Sequence, residues 1–206
     1  TNINLEIMPK ILPSGSKLGL ICNNIKKEIN IPNDIVVGLG GHDHFVGTFA
    51  LGGFKKNIAV NSLGSAEAIT INTNKFYINK SLNQNKFISG IFKTPFKTYY
   101  YVVGSILTSG LIIEWIKKLT EINDYDVLNK MFESGEGVKN NIFFFPQFDF
   151  SHSPSKEKYS KGAIWGLNSK TKKSDIYKAA LECLAFDTKN ALNFILKKTN
   201  QKINKI

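Results

Sequence analysis

Asp43 lies in the run Gly40-Gly41-His42-Asp43-His44, and the chain then reads Ser62-Leu63-Gly64-Ser65-Ala66-Glu67 about twenty residues later. A carboxylate and a glycine-hydroxyl turn are the parts that a phosphoryl transfer needs: a group to take a hydroxyl proton, and backbone N–H groups to face an anion. The run Ile35-Val36-Val37-Gly38-Leu39 is β-branched and bounded by glycine, so it predicts a buried strand that carries Asp43 to its end. Open α/β sheets place their chemistry at strand ends. The run Asn57-Ile58-Ala59-Val60-Asn61 predicts a second strand, whose turn offers the free backbone of Gly64 and the hydroxyl of Ser65. On pattern alone the same residues also suit a hairpin turn into Ala68-Ile69-Thr70-Ile71, and Asp43 also suits a turn or cap.

Further elements must hold these two pieces. Apolar runs near 35–39, 57–62, 67–71, 87–92 and 98–103 read as strands, and helical periodicity follows. From Ser105 the residues Leu107, Leu111, Trp115 and Leu119 recur at fourfold spacing, predicting an amphipathic helix of about four turns. Gly110 interrupts it at a cost of about 1 kcal/mol relative to alanine, which calls for a close approach by a ligand or a backbone. A second helix is predicted from near Ser174, with Asp175 in its first turn, through Ile195, fraying over 197–202. Residues 134–141 and 147–161 read as loops.

At 206 residues and 42% hydrophobic content, the chain can bury a sizeable core. It carries a net charge of +11 and a pI near 9.5, yet its 27 basic residues are all lysine. They are scattered in pairs such as Lys26-Lys27 and Lys55-Lys56, and arginine, the usual bidentate reader of guanine and phosphate, is absent. A solvated surface is therefore expected, with no nucleic acid as partner. Two distant cysteines, Cys22 and Cys183, form neither a disulfide framework nor a zinc knuckle. No apolar run approaches the roughly twenty residues of a membrane helix, so a cytoplasmic protein without a membrane partner is expected.

The ordered motifs resemble the FGGY carbohydrate kinases, a family that includes glycerol kinase, xylulokinase and fuculokinase groups. The resemblance begins at Met8-Pro9-Lys10-Ile11-Leu12-Pro13-Ser14-Gly15-Ser16 and continues through Gly-Gly-His-Asp-His and Leu63-Gly64-Ser65. It extends through Val103-Gly104-Ser105 to Trp115, Phe144-Phe145-Pro146 with 161–167, and Ala179 to Phe186. It implies a ribonuclease H-like, actin-like ATPase fold of the α/β class, of which pattern alone gives only mixed α/β. It implies that residues 1–54 end an N-terminal sugar-binding domain and that 55–206 begin the nucleotide-binding domain, short of its adenine segment. The chain would then be an internal fragment spanning the domain junction, inactive by itself.

The activity so implied is ATP-dependent phosphorylation of a sugar or polyol hydroxyl, with Asp43 as catalytic base and His44 touching the acceptor hydroxyls. Gly64 and Ser65 match the family's glycine-threonine turn over the nucleotide phosphates. Gly110 and Glu114 fall where a glycine and, in glycerol kinases, a glutamine contact nucleotide. A carboxylate at 114 repels phosphate unless magnesium or a lysine compensates. Mg2+ is expected on chemical grounds, because it bridges phosphate oxygens. The stretch 148–154 departs from the family's Gly-Glu-Arg-like segment. A homodimer is an option that the sequence does not decide. Two other readings compete: a non-catalytic nucleotide- or partner-binding module of the same fold, and a metalloprotein in which His42 and His44, at i, i+2 on a strand, share a divalent ion.

Overall fold

The computed structural model describes residues 4–31, 35–133, 141–148, 153–155 and 161–206. After a short 3-10 turn at Leu5–Ile7, the elements are β1 (Lys17–Leu20), α1 (Asn23–Ile29), β2 (Val36–Gly38), α2 (Asp43–Ala50), β3 (Ala59–Leu63), β4 (Glu67–Thr73) and α3 (Lys80–Gln84). Then come β5 (Phe87–Lys93), β6 (Thr98–Ile106), α4 (Gly110–Thr120), α5 (Tyr125–Glu133), β7 (Phe143–Phe145), β8 (Ala163–Trp165) and α6 (Lys173–Thr199). The predicted strand runs thus become β2 to β6, but β2, expected to be buried, is exposed along its length, because it pairs only with β1 in a separate two-stranded sheet.

The central sheet is antiparallel throughout, in the order β3-β4-β6-β5. Because side chains alternate across a strand, β4 sends Ile69 and Ile71 to one face and Ala68 to the other. The first face packs on α6: Ile69, Ile71, Phe87 and Val102 meet Ala191 and Ile195. On the second face Ala68, Phe92, Tyr101 and Val103 meet Phe54, with Phe45 of α2 stacked on Tyr101 at 4.1 Å between ring centroids. A sheet covered on both sides needs strands that are apolar on both sides, and β4 is buried along almost its whole length. A third cluster, of Ile112, Ile116, Leu128, Phe144, Tyr177 and Ala180, joins α4, α5 and β7 to the first half of α6. At the outer side of β3 the chain returns: Ala59 N–H donates to Lys205 O and Asn204 N–H to Asn57 O, each at 2.9 Å, in a short parallel contact.

Three further expectations are corrected. The helix read from Ser105 starts only at Gly110, because β6 runs on to Ile106. Its buried stripe is Ile112, Ile116 and Thr120, while Leu107, Leu111, Trp115 and Leu119 stay exposed to a third or more. Both stripes have the same fourfold spacing, and docking against α5 and α6 selects between them. The end of α6 holds its helical form to Thr199, where Thr199 Oγ1 donates to Ile195 O and Asn200 takes the left-handed conformation of a terminator. Its start is fixed by Asp175, which accepts from Lys172 N–H at 2.8 Å. The loop stretches 134–140, 149–152 and 156–160 lie outside the described residues. Among the described residues no helix is long and apolar enough to cross a membrane.

Candidate functional site

Asp43 is the first residue of α2, delivered by β2 and the glycines that follow it. His42 caps this helix, its ring accepting from His44 N–H at 3.3 Å, and its Nδ1 lies 2.7 Å from Asp43 Oδ1. His44 N–H also donates to Asp43 Oδ1 at 2.9 Å. That N–H bond, aided by the two neighbouring imidazoles, holds the Asp43 carboxyl below the usual carboxylate range. The side chain is 86% exposed, so the carboxylate is ionised and open to a substrate.

His44 turns the other way. Its Nδ1 is 2.9 Å from Ser62 Oγ on β3, and its carbonyl accepts from Thr48 Oγ1 at 2.6 Å. Ser62 follows Asn61 on the strand and so faces α2, whereas Asn61 faces α6. The two histidines therefore sit on the first turn of a helix and not on a strand, with their rings stacked 5.2 Å apart and both Nδ1 atoms engaged within the protein. His152 lies outside the described residues, and among the described residues no group of three or more His, Cys, Asp or Glu side chains could hold a metal ion.

Gly64, Ser65 and Ala66 form the bend of the β3–β4 hairpin, with Gly64 N–H donating to Ala66 O at 3.0 Å. The bend is also docked on the start of α4: Gly110 N–H donates to Gly64 O at 3.0 Å and Leu111 N–H to Ser65 O at 3.2 Å. Two of the helix's unsatisfied N–H groups are thereby paired. The approach needs glycine, because a Cβ on residue 110 would stand 2.5 Å from Gly64 O. Gly110 is thus the opening residue of α4, and a backbone contact accounts for it.

Beside this junction lies a cavity of about 690 Å³ whose walls include Gly64, Glu67, Ser109, Gly110, Leu184 and Thr188. Glu67 is 2% exposed. Its Oε1 accepts from Asn61 Nδ2 at 2.8 Å and from the Thr188 hydroxyl, and its Oε2 from Ser109 Oγ at 3.3 Å. Of the bend, Gly64 reaches this largely apolar cavity.

Comparison with known proteins places residues 68–206 in the C-terminal domain of the FGGY family of carbohydrate kinases. The chain belongs to that family. This FGGY chain is 28% identical over 194 residues to a glycerol kinase of Borrelia garinii subsp. bavariensis, which covers 94% of the chain and 38% of that enzyme. It is 23% identical to a xylulose kinase of Staphylococcus epidermidis, covering 98% of the chain and 40% of the relative. The chain thus spans about two fifths of the length of these relatives. The crystal structure of Plasmodium falciparum glycerol kinase with ADP superimposes with a TM-score of 0.81 over 97% of the chain and 39% of that protein, at 21% identity. The fold is accordingly the actin-like ATPase fold, in part.

Within the FGGY chain the structure brings together Gly64, Ser65 and Gly110, and ties the helix of Asp43 and His44 to β3. Glu114 accepts from the Tyr125 hydroxyl and pairs with Lys117 at 3.3 Å. These contacts, Tyr125 foremost, lower its pKa. Sequence reading gave no role to Ser62 or Glu67. The available signal for Glu67 was its phase, since a carboxylate on the same face as Ile69 and Ile71 breaks an apolar alternation.

Proposed function

We propose that this chain is part of an enzyme that transfers the terminal phosphoryl group of ATP to a hydroxyl of a sugar or polyol. The observation that carries the reading is the hydrogen bond between His44 Nδ1 and Ser62 Oγ. It couples the helix bearing an exposed, ionised Asp43 to the strand that ends in the Gly64–Ser65 bend. Asp43 takes the acceptor's hydroxyl proton as the acceptor oxygen bonds to phosphorus and the bond to the nucleoside diphosphate breaks. His44 orients the acceptor hydroxyls. Gly64 and Ser65 face the phosphates, with Gly110 allowing the bend to lie close against α4.

A nucleotide is supported by the mostly apolar cavity wall and by the bend that reaches it at Gly64, whose own N–H is held by Ala66 O and whose next residue, Ser65, supplies a hydroxyl. ATP would supply the transferable group, and magnesium, when bound with it, would neutralise the charge of its phosphates. The boundary between the acceptor-binding part and the nucleotide-binding part is placed at 54/55, between α2 and β3. Coupled measurement of ADP release from a full-length kinase carrying these residues, against a panel of polyols and sugars, tests the reading. Acceptor-stimulated ADP release is expected, and its absence with every acceptor would reject it.

A further inference from the structure

Glu67 is buried, and an apolar residue in phase with Ile69 and Ile71 would fill its place without the cost of desolvating a carboxylate. What the carboxylate adds is convergence. Its three hydrogen-bond partners come from three separate elements: Asn61 from β3, Ser109 from the residue before α4, and, from the middle of α6, Thr188, whose one hydroxyl proton is shared between Glu67 and Leu184 O. Glu67 itself stands three positions after Gly64 and is paired with Leu63 across the hairpin. The carboxylate is therefore bonded to the residue that precedes Gly110, while Gly110 is bonded to Gly64. The bend, the helix start and α6 close a ring around one side chain. A second observation lies on the same wall of the cavity: Asn61, with its amide turned to Glu67, leaves Oδ1 buried and without a hydrogen-bond partner. A core selected only for stability seldom keeps both a buried carboxylate and an orphaned acceptor.

We propose that Glu67 is a positioning residue that registers the Gly64–Ser65 bend on the start of α4 and thereby sets the grip on the nucleotide phosphates. The nucleotide part rests on the kinase reading above. The registration of the bend does not.

Two measurements separate these. The first is backbone amide exchange in the 206-residue chain with Glu67→Gln: the Gly110 and Leu111 amides should exchange at least about tenfold faster while the amides of β4 and β6 keep their protection. The second is steady-state kinetics in a full-length kinase carrying these residues, where KM for ATP should rise about tenfold and KM for the acceptor stay within about twofold. A role in stability alone would lower the melting temperature and the active fraction, and leave KM for ATP unchanged. Ser109→Ala removes one donor, keeps the carboxylate, and should give the same pattern at smaller amplitude; it carries the test if Glu67→Gln does not fold. Unchanged exchange at Gly110 and Leu111 in a variant that melts like the unaltered chain would overturn the inference. Faster exchange with an unaltered KM for ATP would overturn the claim that this registration sets the grip on the nucleotide. Faster exchange in a kinase whose unaltered form transfers no phosphoryl group would overturn the nucleotide part together with the kinase reading, and the registration would stand.

Discussion

His44 Nδ1 and Ser62 Oγ lie 2.9 Å apart, so the first turn of α2 and the last residues of β3 are held by one side-chain hydrogen bond. Ser62 is two residues before Gly64, and His44 is the residue after Asp43. The proposed base and the proposed phosphate bend are each within two positions of this bond, and a change in it shifts one against the other.

Ser62→Ala should therefore lower turnover. A net hydrogen bond contributes about 1 kcal/mol, so the melting temperature should fall by a few degrees at most, and the same loss in positioning gives a fall of about fivefold in kcat. Ser62→Thr keeps the hydroxyl and should restore most of the rate. Equal rates for the alanine and threonine variants in steady-state assays would show that the bond plays no part in catalysis.

Asp43→Asn should cost about 10²–10⁴-fold in kcat and leave ATP affinity nearly intact, as loss of a general base does. The pH dependence has a definite sign. The carboxyl is held below its usual range, chiefly by His44 N–H, and only its ionised form accepts a proton. The base form persists as pH falls until the lowered pKa is reached. The acid limb of kcat/KM should lie below about pH 4, the ordinary range for aspartate. A limb near pH 6 in the measured profile would assign the base to another group.

Gly110→Ala places a Cβ 2.5 Å from Gly64 O, a backbone atom that cannot step aside without moving the bend. Overpacking of this kind costs about 1–3 kcal/mol, against a gain of up to about 1 kcal/mol in helix propensity. Thermal unfolding should fall by a few degrees, and KM for ATP should rise with it. A variant that melts higher than the parent would contradict the close approach.

The two stripes of α4 make a direct comparison. Ile112→Ala empties a site with no exposure and should cost about 2–5 kcal/mol, whereas Leu111→Ala, half exposed, should stay within about 1 kcal/mol. Chemical denaturation of both variants measures the difference. Similar losses would place the buried face of α4 elsewhere.

The strands and the Asp43 and Gly64 motifs were legible because β-branched runs and glycine punctuation are local signals. Helix α2 was not: Asp43-His44-Phe45-Val46-Gly47-Thr48 has weak helix formers and a glycine, and it is helical because His42 caps it and Phe45 packs on Tyr101. The face of α4 was illegible for a different reason, since Leu111/Trp115 and Ile112/Ile116 carry one spacing and only α5 and α6 choose between them. Glu67 lay hidden because its satisfaction is non-local. Its Thr188 partner is 121 residues away, and no window along the chain contains both. Gly110 stands out in the sequence as a position needing an explanation, but its neighbour, the Gly64 carbonyl, emerges only when the hairpin folds onto the helix.

The short parallel contact of Asn57–Ala59 with 204–205 also bears on how the protein behaves in a crowded solution. An outermost strand offers unpaired amides and carbonyls to any passing extended segment, the usual seed of sheet-to-sheet clumping. Here Lys205 and Asn204 already use part of that border, and the lysine brings a positive charge to it. An intruder at that point would have to displace residues 204–205 and approach a cation to add itself, so this contact guards the start of the β3 border.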